Sequence, residues 1–299
     1  MAQLAMTRAA MTQPTTKQPA MPQPAMPQPA VPQPTMPQPA TPQPAMPLMT
    51  LDRLSVPGRF EPVSLDLHAG ELLGLIGPNG AGKSSLLHAL AGLLEARGSL
   101  RLLGEDLRAV HPRERARILA LLPQAPQCVW SLTVHDMVSL GRLPWGNTEA
   151  HAIGEAMRRM HVEHLAHRLV PGLSFGEQAR AAMARVLAGR PRVLLADEPA
   201  AALDLFHQHG LLEALREHAG QGNAVVMAMH DLALAARYCH RLLLLDRGRQ
   251  LALGTVSEVL TEERLTRVYG LDIAVDLRAS PPRIEVRRSE VMPRGVAVP

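Results

Sequence analysis

Three groups of residues have the types and spacing for chemistry on a phosphate. The first is Gly77-Pro78-Asn79-Gly80-Ala81-Gly82-Lys83-Ser84, which fits G-x-x-x-x-G-K-[ST] without a mismatch. Its glycines let the backbone wrap a phosphate without Cβ clashes, so that successive N–H groups point inward. Lys83 is placed to reach β- and γ-phosphate oxygens, and the Ser84 hydroxyl to hold magnesium. The second group is Asp197-Glu198, closing the apolar run Val193-Leu194-Leu195-Ala196. One carboxylate can complete a magnesium shell and the other can polarise a water for in-line attack on the γ-phosphorus. The third is His230, at the end of the apolar run Ala224 to Met229, read either as a γ-phosphate contact or as an ordinary strand-end histidine.

These residues need a particular scaffold. Leu72 to Ile76 reads as a buried strand before the glycine-rich loop, and the residues from Ser84 to about Leu94 have helical spacing. Leu51–Val56 and Val63–Leu67 alternate as strands around a turn at Pro57-Gly58. Further strands are expected at 99–103, 118–122, 193–197, 224–229, 241–246 and 249–252. Helices are expected at 177–188, 205–218 and 231–238, with two short closing helices at 256–260 and 261–269. Thr133 and Asp136 are placed as N-cap and third residue of a helix within an insertion at about 125–172. Helices alternating with apolar strands imply an α/β fold: a mostly parallel sheet covered on both faces. Carboxylates at the carboxyl ends of such strands lie where ligands bind.

Composition narrows the class. The chain has 299 residues, 2% aromatic residues, two cysteines and a formal charge of +4. The core must therefore come from aliphatic side chains, and the charge is too small to argue for nucleic acid. Cys128 and Cys239 have no metal-ligand spacing and read as packing residues in a reducing compartment. No apolar run approaches the ~18 residues that span a bilayer. Residues 1–48 carry five x-Pro-Gln-Pro-[Ala/Thr] repeats between Met21 and Ala45, which exclude helix and sheet. They are expected to be a disordered tail, or to lie upstream of a true start at Met46 or Met49. The ordered domain is placed at 49–279, and the arginine-bearing segment 280–299 is expected to be a flexible tail. His161, His164 and His167 fall three apart on one expected helix and read as a solvated face.

Leu173-Ser174-Phe175-Gly176-Glu177-Gln178 is locally a capping box, Ser174 at N-cap and Glu177 three residues on. A capped helix alone does not require this sequence one helix before the acidic strand. In family order, the phosphate loop, Gln124, this signature, Asp197-Glu198, Ala202-Leu203-Asp204 and His230 resemble an ATP-binding cassette (ABC) transporter ATPase. The resemblance spans residues 50 to about 255. It implies a P-loop NTPase core of RecA-like type with an antiparallel β subdomain and a helical insertion. ATP binding falls to Gly77, Pro78, Asn79, Gly80, Ala81, Gly82, Lys83, Ser84, Ser85, Ser174, Gly176 and Asp204. Magnesium falls to Ser84, Gln124 and Asp197, and catalysis to Glu198, His230 and Lys83. It also implies a head-to-tail homodimer in which Ser174 and the Gly176 N–H of one copy meet the γ-phosphate held by the other.

Two positions depart from that pattern. Phe175 stands where the family has a small residue, either crowding the opposing nucleotide or packing away. The turn Pro57-Gly58-Arg59-Phe60 is short, and Phe60 and Arg59 both remain open as the group that stacks on adenine. Ser131 to Asp136 and Leu140 to Trp145 are similar to the corresponding segments of importers for ferric siderophores, haem and cobalamin. The implied setting is the cytoplasmic face of a bacterial inner membrane, with a separate permease and a substrate-binding protein as partners. Trp145 reads either as a docking anchor or as a half-packed side chain.

Overall fold

The computed structural model describes residues 46–124, 131–201 and 203–288. The Pro/Gln repeats, Cys128, Ala202 and residues 289–299 lie outside the described residues. β1 (Met49–Val56) and β2 (Phe60–Leu67) form a hairpin around Pro57-Gly58. β3 (Leu72–Ile76) leads through the glycine-rich loop into α1 (Lys83–Leu90). That helix stops four residues before the expected Leu94, because the chain turns at Gly92 in the left-handed region (φ 70°). β4 (Arg97–Leu102) pairs antiparallel with β1 and carries β5 (Glu105–Asp106), giving a four-stranded sheet β2-β1-β4-β5.

α2 (Pro112–Ile118) follows and was not expected. It is seven residues long with no buried side chain, so it shows no apolar period. Its signals are local: Pro112 at the start, and the His111 side chain accepting from the Arg113 N–H. β6 (Leu119–Leu122) enters the main sheet. The helical insertion contains α3 (Val134–Ser139), a 3-10 turn at Leu140–Trp145 and α4 (Ala150–Arg159). As expected, Thr133 caps α3 by accepting from the Asp136 N–H at 3.1 Å. The 3-10 turn lies hard against α5 (Phe175–Ala188): a Cβ on Gly141 would sit 2.0 Å from the Arg185 carbonyl oxygen.

β7 (Val193–Asp197), α6 (Leu205–Gly220), β8 (Ala224–Ala228), α7 (Leu232–Tyr238), β9 (Arg241–Asp246) and β10 (Arg249–Thr255) complete the core. α8 (Val256–Val259), α9 (Glu262–Tyr269), β11 (Asp272–Asp276) and β12 (Arg283–Arg288) close the described chain. The main sheet runs β10-β9-β3-β8-β7-β6, parallel except for β10 on β9. Every residue of β3, β7 and β8 is buried, which explains their unbroken apolar runs. Alternation divides each strand between two cores. Leu72, Ile76, Leu194 and Ala196 face the helical side, while Leu73, Leu75, Val193 and Leu195 face the antiparallel sheet.

Two sequence expectations are corrected here. Arg283 to Arg288, placed in a flexible tail from 280, form β12 paired antiparallel with β11, and Arg287 bonds Glu262 at 2.7 Å. The three histidines do not share a helix: α4 ends at Arg159, His161 takes a positive φ of 53°, and His164 lies in a 3-10 turn.

His218, on the buried side of α6, is 4% exposed and bonds the Pro191 carbonyl through Nε2 at 2.9 Å. Burial, the largest cause, holds its pKa below the unfolded-chain value of 6.5. The unfolded chain therefore takes up this proton first as pH falls, and the stabilisation present above 6.5 is lost below it. Thermal midpoints measured from pH 8 to 5 should fall below about pH 6.5, and His218→Gln should flatten that slope. An equal slope in the variant would exclude His218 as its source.

Candidate functional site

The carboxyl ends of β3, β6, β7 and β8 lie along one edge of the main sheet, so the loops leaving them converge. The glycine-rich loop leaves β3 with Gly77 at φ 142° and Gly82 at φ 102°. Both select against a side chain, Gly77 by contact and Gly82 chiefly by backbone strain. A Cβ on Gly77 would lie 2.0 Å from the Leu245 carbonyl oxygen, and one on Gly82 would lie 3.3 Å from that of Arg59. Lys83 is 5% exposed, and its ammonium donates to the carbonyls of Gly77 at 2.7 Å and Pro78 at 3.1 Å. Burial lowers its pKa, and the charges of Glu198 and Asp197 act against that.

Asp197 ends β7 and is 3% exposed, and its Oδ1 has no hydrogen-bond partner. A buried carboxylate oxygen without a donor fits a cation ligand, since leaving it bare is costly. Glu198 takes a positive φ of 49°, an uncommon conformation for a non-glycine residue. Its two oxygens are held separately. Oε2 accepts from Gln124 Nε2 at 2.7 Å, and Oε1 contacts His230 Nε2. Gln124 follows β6 and His230 follows β8, so three loops place one side chain. Lys83, Ser84, Gln124, Glu198 and His230 line a cavity of about 470 Å³, with Arg59 at its rim.

Arg59 and Phe60 are now distinguished. Phe60 is 4% exposed and packed in the core between the two sheets, so its ring is not available to a ligand, whereas Arg59 lines the cavity. Asn79, Gly80, Ala81, Gly82 and Ser85 line it as well. Ser174, Gly176 and Asp204 do not.

Ser174 instead caps α5. Its hydroxyl accepts from the Glu177 N–H at 3.3 Å, while Glu177 Oε2 accepts from the Ser174 N–H at 2.8 Å. The Ser174 N–H and then the Ser174 hydroxyl, which also donates to Glu177 Oε2 at 2.8 Å, hold the Glu177 carboxyl below the usual range. Asp204 caps α6 by accepting from the His207 N–H at 2.9 Å, which lowers its pKa in the same way. Near both caps is Arg180, 8% exposed, with an unbonded Nε and a charge felt weakly by both carboxylates. Sequence reading missed it; the one signal was its spacing of three from Glu177 on the same helix. Beside the caps, Phe175, Leu205 and Phe206 are 61%, 75% and 72% exposed.

Cys239 behaves as the packing residue expected. Burial pushes its thiol up to about 12, and its Sγ lies 3.7 Å from the Met229 sulfur. Trp145 is 37% exposed, with its indole N–H on the Gly189 carbonyl at 3.1 Å and the Arg117 and Arg142 guanidinium carbons 5.2 and 5.0 Å from its ring centre. Leu143, beside it, is 66% exposed.

Residues 60–201 match the ABC transporter family. The chain is 47% identical over 221 residues to the hemin import ATP-binding protein HmuV of Rhodococcus jostii RHA1, covering 72% of this chain and 76% of that protein. The chain belongs to the ATP-binding cassette transporter family. The cassette is also 47% identical over 228 residues to HmuV of Pseudomonas entomophila L48, covering 71% and 87% of the two chains. Among solved structures, a metal-chelate type ABC transporter in an inward-facing conformation aligns with TM-score 0.67 and 26% identity, over 77% of this chain and 92% of that one. The cbiO1 subunit from Clostridium perfringens aligns with TM-score 0.64 and 25% identity, over 74% and 93%. The cassette is an ATP-binding ATPase with a P-loop NTPase fold, as its motifs implied. No helix among the described residues is long and apolar enough to cross a membrane.

Proposed function

We propose that this cassette powers the import of haem through a separate membrane permease. The observation that carries the hydrolytic part is the joining of Gln124, Glu198 and His230 over Lys83 and the unpartnered Asp197. Phosphates lie in the loop at 77–84, held by its amides and by Lys83, which exchanges the Gly77 and Pro78 carbonyls for phosphate oxygens. Glu198, oriented by Gln124 and His230, takes a proton from the water that attacks the γ-phosphorus. The new bond joins the water oxygen to that phosphorus. The bond to the β-γ bridging oxygen breaks, releasing ADP and phosphate. Ser84, the bare Asp197 oxygen and the Gln124 amide oxygen would hold magnesium, which when bound would neutralise phosphate charge.

The reading extends to a head-to-tail homodimer. Ser174, Gly176 and Asp204 stand outside the cavity in one chain, which is consistent with their serving the nucleotide of a second copy. The exposed Phe175, next to Ser174, and the exposed Leu205 and Phe206, next to Asp204, supply apolar surface for such a contact. The exposed Leu143 and half-exposed Trp145, on a turn braced by arginines, offer a docking point for the permease at the cytoplasmic face of the inner membrane. A substrate-binding protein would deliver the cargo.

The choice of haem rests on relatives named as hemin import proteins, several at 46–47% identity, rather than on any residue of the cassette. It is tested by reconstituting the cassette in vesicles with the membrane permease that co-purifies with it and supplying haem, a ferric siderophore or cobalamin. ATP-dependent accumulation of haem alone is the expected result. Accumulation of cobalamin or the siderophore in its place would overturn the assignment.

A further inference from the structure

The turn that joins β9 to β10 lies against the phosphate loop, outside every motif that marks the nucleotide site. It has two residues, Arg247 and Gly248, both with positive φ at 47° and 77°, as a type I′ turn requires. The Gly248 N–H donates to the carbonyl of Ala81 in the loop at 3.1 Å, and its own carbonyl accepts from the Glu61 N–H of β2 at 2.7 Å. Little room is left between these partners. A Cβ on Gly248 would sit 3.0 Å from the Arg59 carbonyl oxygen and 3.1 Å from the Phe60 Cα, both backbone atoms. From the loop side, a Cβ on Gly82 would come to 3.7 Å from the Gly248 Cα.

The turn is a firm support. β10 pairs with β9 from Arg249 to Thr255, and Arg249 donates to the Glu61 carboxylate at 2.8 Å. Phe60, 4% exposed in the core between the two sheets, fixes the start of β2. Against this support rests a soft joint of the loop. Gly82 has φ 102° and no Cβ, so the peptide linking Ala81 to Gly82 can turn over at little steric cost. That peptide is trans, and its carbonyl and N–H point in opposite directions. Holding the Ala81 carbonyl on Gly248 therefore fixes the direction of the Gly82 N–H, in a residue that lines the cavity. Turned over, the same peptide would offer a carbonyl oxygen where a phosphate needs a donor.

We propose that Gly248 is a positioning residue for nucleotide binding: its N–H locks the Ala81–Gly82 peptide in the setting that gives the phosphates an amide rather than a carbonyl. A loop set in advance loses less freedom when the ligand arrives, and affinity rises accordingly. The inference rests on the reading of residues 77–84 as the nucleotide site, and the experiment separates the two.

Full-length wild type, Gly248→Ala, Gly248→Asn, Gly222→Ala and Lys83→Ala are compared by calorimetric titration with MgADP, by ATPase kinetics and by thermal unfolding. Gly222 lies in the turn after α6 at φ 88°, where an added Cβ would meet no described atom within 4 Å. Gly222→Ala therefore imposes the same backbone strain away from the loop. Both alanine variants should lower the nucleotide-free midpoint by about 2–8 °C. Only Gly248→Ala should weaken MgADP binding, by about threefold to tenfold. KM for ATP should rise by a similar factor with kcat retained, which is the signature of lost binding rather than lost chemistry. Asparagine suits the left-handed backbone better than alanine but still carries a Cβ. Gly248→Asn should therefore lose as much affinity with a smaller drop in midpoint, and it decides the matter if Gly248→Ala does not fold. Wild-type affinity in the Gly248 variants beside a weakened Lys83→Ala overturns the proposal alone. Wild-type affinity in all of them overturns the site reading and the proposal with it. An equal loss of affinity in Gly222→Ala makes backbone strain the cause and also overturns it.

Discussion

Glu198→Gln is expected to lower ATP turnover by about a hundredfold to ten-thousandfold, the range for loss of a general base. The substitution keeps the shape of the side chain and removes its charge and its ability to take a proton. Gln124 and His230 both hold Glu198 through its carboxylate oxygens, and an amide can still meet one of them. ATP binding should survive, because the loop and Lys83 are untouched. With binding intact and the chemistry stopped, the ATP-bound form accumulates. Size-exclusion chromatography should then show a dimer with MgATP that is absent with MgADP. Turnover within a factor of ten of wild type would remove Glu198 from the role of base. A slow enzyme that never dimerises would keep the base and remove the head-to-tail arrangement.

Lys83→Ala acts on the other half of the reaction. Its ammonium is the buried cation at the mouth of the loop and makes two bonds to loop carbonyls. Hydrogen bonds involving a charged group are worth about 1.5–3 kcal/mol, so losing this cation should weaken MgATP binding roughly tenfold to more than a hundredfold. Hydrolysis at saturating ATP should fall as well, because the charge that develops on the phosphoryl oxygens loses a partner. Equilibrium binding of a fluorescent nucleotide measures the first effect. An unchanged dissociation constant would sink the assignment of the loop. The nucleotide-free variant also leaves the Gly77 and Pro78 carbonyls without their donor, so thermal midpoints belong beside the binding data.

How much of this site could be read from residues alone depended on how local each demand was. The loop at 77–84 was legible because positive φ and close backbone approach select glycine at fixed spacing. Ser174 and Glu177 were legible as a cap for the same reason, since both bonds close within three residues. α2 was not legible, because a seven-residue helix with no buried side chain has no period to detect. The spacing of His161, His164 and His167 misled, because a backbone turn after Arg159 breaks the helix that the spacing assumed. β12 was hidden among arginines: a two-stranded pair needs no apolar run, and its partner and its Glu262 contact lie elsewhere in the chain.

By itself, then, the sequence determined the set of chemical parts and the class of fold. Glycine spacing, capping pairs and buried apolar runs each answer to forces that act within a few residues or through burial on both faces of a strand. Only the tertiary structure decided how the parts meet. Gln124, Glu198 and His230 follow three different strands and are separated by up to 106 positions. The choice of Arg59 over Phe60 at the cavity was likewise tertiary, since it depended on which side of β2 faces the core. Strand order and the close packing of distant side chains set these contacts, and neither is written in the spacing of neighbouring residues.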